Sequence, residues 1–189
     1  MEKSRTVSYC VLLALVGMAL VFVAPDSAAG RPERPSQSLT VLDIDGTPVK
    51  LSIEDLRALP QYAEPETVVI GSEVGFIGIY DYAGVRVVDV LDRAKVAQEA
   101  SAYKKRNMYV VFQGTDGYQV VASWRELYGT PEGPRVLAAL DKGGKPLAPS
   151  EGKIRLVFPG DKYCGRSVMC LDRIEIRVAD GVVEKKKDE

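Results

Sequence analysis

The 189-residue chain carries 25 basic and 26 acidic side chains, a formal net charge of −1, and no histidine. That balance gives no electrostatic case for a nucleic-acid or anionic-lipid partner. The missing histidine excludes Ser–His and Cys–His nucleophile pairs, His-ligated zinc or haem, and histidine general-base chemistry, which leaves carboxylates, Tyr, Lys, Arg, cysteine or a bound cofactor for any catalysis.

Residues 1–30 combine a charged start (Glu2, Lys3, Arg5), an apolar run over 7–24 and a small-residue stretch at Ser27, Ala28, Ala29 and Gly30. This order predicts a signal peptide over residues 1–29, cleaved after Ala29 or Gly30, and hence a periplasmic or secreted domain. The apolar run is about 18 residues, the lower limit for spanning a bilayer, so a membrane-anchored form with the segment uncleaved is the alternative. Cys10 lies inside the run and leaves with the peptide. Residues 30–38 (GRPERPSQS) read as a flexible linker, residues 39–180 as one α+β domain, and residues 181–189 as a solvated charged tail.

Within the domain, residues 39–44 alternate as a half-buried strand, Asp45-Gly46 turns it and residues 49–51 return. Ser52 with Asp55 predicts a capping box for a helix over 53–59, which Pro60 ends. A loop over 61–65 leads to a short strand at 67–70, a break at 71–75 and a strand at 76–80. Val87, Val88, Leu91 and Ala94 recur at helical spacing within 85–94. Residues 107–113 and 118–123 flank Thr115-Asp116-Gly117 as a hairpin, and 124–128 reads as a short helix. A second hairpin joins 136–140 to Leu147 across Asp141-Lys142-Gly143-Gly144, and 154–158 and 167–178 supply the last strands.

Four fragments in order, 112–118 (FQGTDGY), 137–147 (LAALDKGGKPL), 152–160 (GKIRLVFPG) and 165–174 (GRSVMCLDRI), with 84–94 (GVRVVDVLDRA) upstream, resemble the molybdopterin-binding domain of the sulfite oxidase family. The resemblance covers most of residues 66–177. It implies a sulfite-oxidase-like α+β fold of mixed sheets with short helices, binding a pterin with a terminal phosphate. It also implies molybdenum held by the pterin dithiolene and one protein cysteine. Soft thiolate suits that metal, while the ring edge and phosphate call for placed donors such as Arg, Lys or backbone N–H groups.

By this resemblance Arg155 matches an arginine used on the cofactor, and Arg166 and Ser167 match the loop reaching the pterin and phosphate. Met169 stands where the family usually has lysine, Cys170 where it has tryptophan, and Glu151 roughly where it has histidine. The metal-binding cysteine should follow a strand like 67–70, yet the chain reads Gly71-Ser72-Glu73-Val74-Gly75, with no protein thiolate at the expected position. Ser72 and Glu73 in that loop either hydrogen-bond a ligand edge or only line the loop. Tyr118 and Trp124 either stack on a pterin ring or fill the core, and Asp116 shapes its turn.

These departures resemble a smaller branch of the fold: exported proteins that keep the pterin cleft, lack the metal cysteine and bind a reduced pterin for signalling. That branch implies a non-catalytic pterin-binding module, with a membrane sensor or a redox partner that has a periplasmic domain, and no nucleic acid. A molybdenum-cofactor oxidoreductase with non-standard ligation is the alternative, and a scaffold that lost its cleft is the third reading. Cys164 and Cys170 would pair only if the chain folds back at Gly165, since an extended six-residue span reaches about 20 Å. Otherwise Cys170 is a buried thiol, and Cys164 either an unbridged thiol or a metal ligand.

Overall fold

The computed structural model describes residues 34–179, so the expected signal peptide, the first part of the linker and the charged tail lie outside the described residues. The elements in order are β1 (Ser38–Leu42), β2 (Pro48–Ser52), α1 (Ile53–Arg57), β3 (Tyr62–Gly71), β4 (Gly75–Arg86), α2 (Val87–Arg93), α3 (Ala102–Arg106), β5 (Met108–Gly114), β6 (Gln119–Ser123), α4 (Trp124–Gly129), β7 (Leu137–Lys142), β8 (Lys145–Pro146), β9 (Arg155–Val157) and β10 (Leu171–Val178). Single 3-10 turns occur at Gly133–Arg135 and Cys164–Arg166. The result is the expected α+β architecture of mixed sheets and short helices.

One sheet has the order β2-β1-β10-β5-β6, with β1 parallel to β10 and its other neighbours antiparallel. The second runs β3-β4-β7-β8, and β9 pairs with β7 beside β8. A β-strand sends alternate side chains to opposite faces, and β7, buried on both, shows the consequence. Ala138 and Leu140 join the main core with Phe112, Leu156 and Ile174, whereas Leu137 and Ala139 join a smaller cluster with Val69, Tyr82, Leu147 and Val157. In β9 the same alternation puts Leu156 into the main core and turns Arg155 and Val157 to the smaller cluster's side. This second face carries the polar groups described below.

Local chemistry accounts for the boundaries. Ser52 Oγ accepts from Asp55 N at 3.0 Å and Asp55 Oδ2 accepts from Ser52 N at 2.8 Å, the reciprocal capping box expected for α1. The helix ends at Arg57 rather than 59, where the Gln61 amide donates to the carbonyls of Leu56 and Leu59 and satisfies acceptors the last turn leaves open. The expected loop at 61–65 is instead the start of β3. Because β3 pairs only with β4, Pro65 costs no ladder bond on its outer side, and a register shift between Glu64 and Thr67 absorbs Glu66 at φ 50°.

β4 also runs further than expected, through Gly84 and Val85 to Arg86, so the helix begins at Val87. A Cβ on Gly84 would stand 2.3 Å from the Ala138 carbonyl oxygen; only glycine lets β4 and β7 meet there. The last strand starts at Leu171 rather than 167, with Val168 making an isolated bridge to Leu156. Helix α3 buries none of its residues and has no apolar periodicity, which is why the sequence pattern does not show it.

Candidate functional site

Arg155 is the most deeply buried charge of the expected site, 8% exposed. Its Nε donates to Ser167 Oγ at 2.9 Å, and that hydroxyl donates onward to the Leu156 carbonyl at 2.9 Å. Its Nη1 donates to Glu151 Oε1, an oxygen that also accepts from Lys142 Nζ at 3.0 Å. Nη2 makes no hydrogen bond among the described residues. Two cations share one carboxylate, so the cluster keeps a local charge of +1, and it has a donor to spare. Glu151 is held from behind: its carbonyl accepts from Cys170 N at 2.9 Å, and Gly152, at φ 85°, lies so close to Cys170 that a Cβ would come within 2.5 Å of its Cα.

Arg155 and Ser167 line a narrow cavity of about 20 Å³ with Thr67, Tyr82, Cys164 and Asp161, whose carboxylate also holds Arg166. By this measure it has room for one water-sized group. Tyr82 is 1% exposed, yet its hydroxyl has no hydrogen-bond partner. Burial pushes its phenol above the usual tyrosine range, partly offset by nearby Arg155, so the group is a neutral donor at physiological pH. Nothing in the sequence pattern singles Tyr82 out, because one aromatic residue in an alternating strand reads as core.

Arg166, expected on the same ligand, sits on the far side of the segment at residues 158–161. Its Nε and Nη2 donate to the two oxygens of Asp161 at 2.8 and 2.6 Å, its Nη1 donates to Glu126 at 2.7 Å, and the guanidinium lies 4.1 Å from the Phe158 ring centroid. Hydrogen bonding to Asp161 first, and then to Glu126, holds it above its ordinary pKa. It lines a wider hollow of about 310 Å³ with Glu126, Thr130, Glu132 and Pro159.

The other expected residues lie elsewhere. Ser72 and Glu73 are exposed in the turn between β3 and β4, beyond the Gly71–Gly75 pair, and do not line the cavity. The strands zip further than the short apolar runs suggest and carry the turn away. The residues contributed instead are Thr67, Val68 and Val69 of β3. Trp124 is buried in the main core, stacked on Tyr128 with centroids 4.5 Å apart. Tyr118 donates its hydroxyl to the Gly165 carbonyl and so ties the β5–β6 turn to the Cys164–Arg166 turn. No disulfide joins Cys164 and Cys170. Cys164 is half-buried at the cavity, whereas Cys170, at φ 50°, is buried behind Glu151.

Residues 31–181 match the family model of the oxidoreductase molybdopterin-binding domain. The chain belongs to this family. Among solved structures, the sulfane dehydrogenase SoxCD from Paracoccus pantotrophus matches with a TM-score of 0.59 at 18% identity, over 74% of this chain and 38% of that one. The likeness shows the sulfite-oxidase-like fold; this chain spans well under half of that relative's length. No curated protein matches.

Two observations bear on how this family member fits a molybdopterin-type group. The Arg155 Nη2 and the Tyr82 hydroxyl are donors without partners among the described residues, which suits an oxygen-rich ring edge. The thiol that lines the cavity is that of Cys164.

Proposed function

We propose that this chain is an exported, non-catalytic module that binds a pterin or molybdopterin-type ligand across the mouth of the Arg155 cavity. The observation that carries the reading is a buried arginine with an unused nitrogen beside an unpartnered tyrosine hydroxyl, in a domain whose family is named for molybdopterin binding. The cavity admits only an edge atom, so the ring lies across its opening with the donors reaching up to it. With Nε and Nη1 engaged by Ser167 and Glu151, the remaining Nη2 donates to that edge atom in a direction fixed by the planar guanidinium, which a lysine ammonium at this position could not reproduce while keeping both protein contacts. Calorimetry with reduced and oxidised pterins tests this. Arg155→Ala should weaken binding roughly 10- to 150-fold, the equivalent of about 1.5–3 kcal/mol, with Arg155→Lys recovering only part. No saturable binding to wild type would leave the scaffold reading in front.

Export rests on the amino-terminal pattern of residues 1–29, and recovery of protein beginning at residue 30 or 31 from the periplasm is its test. The partners that follow are the pterin itself and a membrane sensor or a redox protein with a periplasmic domain. One feature favours the second reading, an oxidoreductase with non-standard molybdenum ligation: Cys164 lines the same cavity as Arg155. Elemental analysis separates the two. The module should carry no stoichiometric molybdenum, whereas near one metal per chain, lost in Cys164→Ser, would establish the alternative.

A further inference from the structure

Towards its hairpin turn with β3, β4 has no second neighbour, because its ladder to β7 spans only Tyr82 to Arg86. In that stretch Val68 stands opposite Ile79 and Ile70 opposite Phe76, and directly opposed residues of an antiparallel pair share a face. Phe76 is 66% exposed, Ile79 56% and Val68 47%. Val69, between the two β3 members, turns the other way into the smaller cluster, so the patch lies on the face away from it. A contiguous apolar patch open to solvent marks an interaction surface.

Charge decides what covers it. Residues 58–85 contain no Lys or Arg and four carboxylates, Glu64, Glu66, Glu73 and Asp81. Glu64 is held by Arg135, whereas Glu66, Glu73 and Asp81 are exposed and make no ion pair among the described residues. Glu73 lies at the hairpin tip. At the base lie Asp81, two residues beyond Ile79 on the same face, and Glu66, whose N–H donates to the Asp81 carboxylate at 2.9 Å. Negative charge therefore brackets the patch at both ends. A second copy of the chain, in either orientation, would set these carboxylates against one another. An anionic bilayer would repel them, and its interior would leave the open edge of β3 without hydrogen-bond partners.

We propose that the face formed by Val68, Ile70, Phe76 and Ile79 docks an amphipathic helix of a partner protein, its apolar stripe seated on these four side chains and its Lys or Arg residues reaching Glu73 at one end and Glu66 and Asp81 at the other. A strand added along β3 would extend the sheet and leave this face open; a helix laid on it covers it. The spacing fits, since Val68 and Ile70 are separated by about 7 Å along the strand and residues i and i+4 of a helix by about 6 Å. The inference does not depend on the pterin reading, because the surface lies outside the ligand cavity's polar cluster and is tested without ligand.

The probe is a fluorescein-labelled model helix of two LKKLLKL heptads, with the LEELLEL counterpart as its charge reversal, titrated with ligand-free protein by fluorescence anisotropy. Wild type should bind the basic helix at least about 10-fold more tightly than the acidic one, a preference that shrinks as salt is raised. Phe76→Thr with Ile79→Thr keeps β-forming residues at exposed positions; it should weaken binding of the basic helix at least about 10-fold and leave the melting temperature within about 4 °C. Glu66→Lys with Glu73→Lys should remove most of the preference for the basic helix. No binding of the basic helix to wild type, equal binding of the two helices, or binding untouched by the threonine pair would overturn the proposal. Should the threonine pair melt much lower, the lysine pair decides by itself, and an unchanged preference there overturns the proposal too. So would a wild-type dimer in sedimentation velocity, or flotation with phosphatidylcholine–phosphatidylglycerol vesicles, that the threonine pair abolishes, since the face would then belong to a second copy or to a lipid surface.

Discussion

Arg155 and Arg166 stand eleven residues apart on segments expected to serve one ligand, and the fold gives them opposite surroundings. Arg155 shares a single carboxylate with Lys142 and retains an unused nitrogen, while Arg166 is saturated by Asp161 and Glu126 and packs over Phe158. The first cluster is short of acceptors and the second carries one negative charge in excess. A ligand rich in oxygen gains a partner at Arg155; at Arg166 it must first break an ion pair. Burial sharpens the contrast, since the Arg155 side chain is 10% exposed and that of Arg166 is 32%. Charge-assisted bonds count for more where water is excluded.

The largest expected effect lies behind the Arg155 cluster. Gly152→Ala should destabilise the domain by about 2–4 kcal/mol, because the residue sits at positive φ and its Cβ would strike the Cys170 backbone rather than a movable side chain. The denaturant midpoint reads this, and an unchanged midpoint would show that Glu151 is not held as described. Next, Arg166→Ala should cost about 1–2 kcal/mol of stability, since two half-buried carboxylates lose their shared partner, yet should weaken pterin binding less than Arg155→Ala does. Equal losses of affinity from the two substitutions would merge the two hollows into one ligand site.

The smallest effect is a pH dependence. Burial raises the Tyr82 pKa, so above about pH 10 the unfolded chain loses a proton that the folded one keeps, and stability must fall as pH rises. By pH 10.5 this amounts to at most about 0.8 kcal/mol, and Tyr82→Phe should flatten the alkaline slope by that amount. A slope unaltered by the substitution would place the hydroxyl in contact with water.

Much of this site was legible as residue types. Arg155 and Ser167 were read from their fragments, and the structure joins them by a direct hydrogen bond. Trp124 and the Ser72-Glu73 turn are not separable from ligand contacts by sequence: the stack of Trp124 on Tyr128 is a local pair one turn apart in α4, but whether the indole is covered by the core or left open to a ligand depends on residues brought up by other elements. Phe76, Ile77 and Ile79 show the same limit: they mark a strand by composition, yet all three are exposed, since here β4 pairs only with β3, beyond the reach of β7, and neither face of β4 there is covered among the described residues.

What the sequence determined by itself is whatever is encoded over a few neighbours. The Ser52–Asp55 capping box, the Gly117 turn between two alternating runs and the ordered fragments that mark the family are all of this kind, because hydrogen-bond reach and side-chain period act locally. Tertiary structure alone decided which arginine keeps an unused donor, that Cys164 rather than the end of β3 brings a thiol to the cavity, and that Tyr82 loses every partner for its hydroxyl. Those properties are set by charges and surfaces that meet from β3, β4, β9 and the Cys164–Arg166 turn, up to a hundred residues apart in the chain, and no local pattern specifies which of them will share a low-dielectric space.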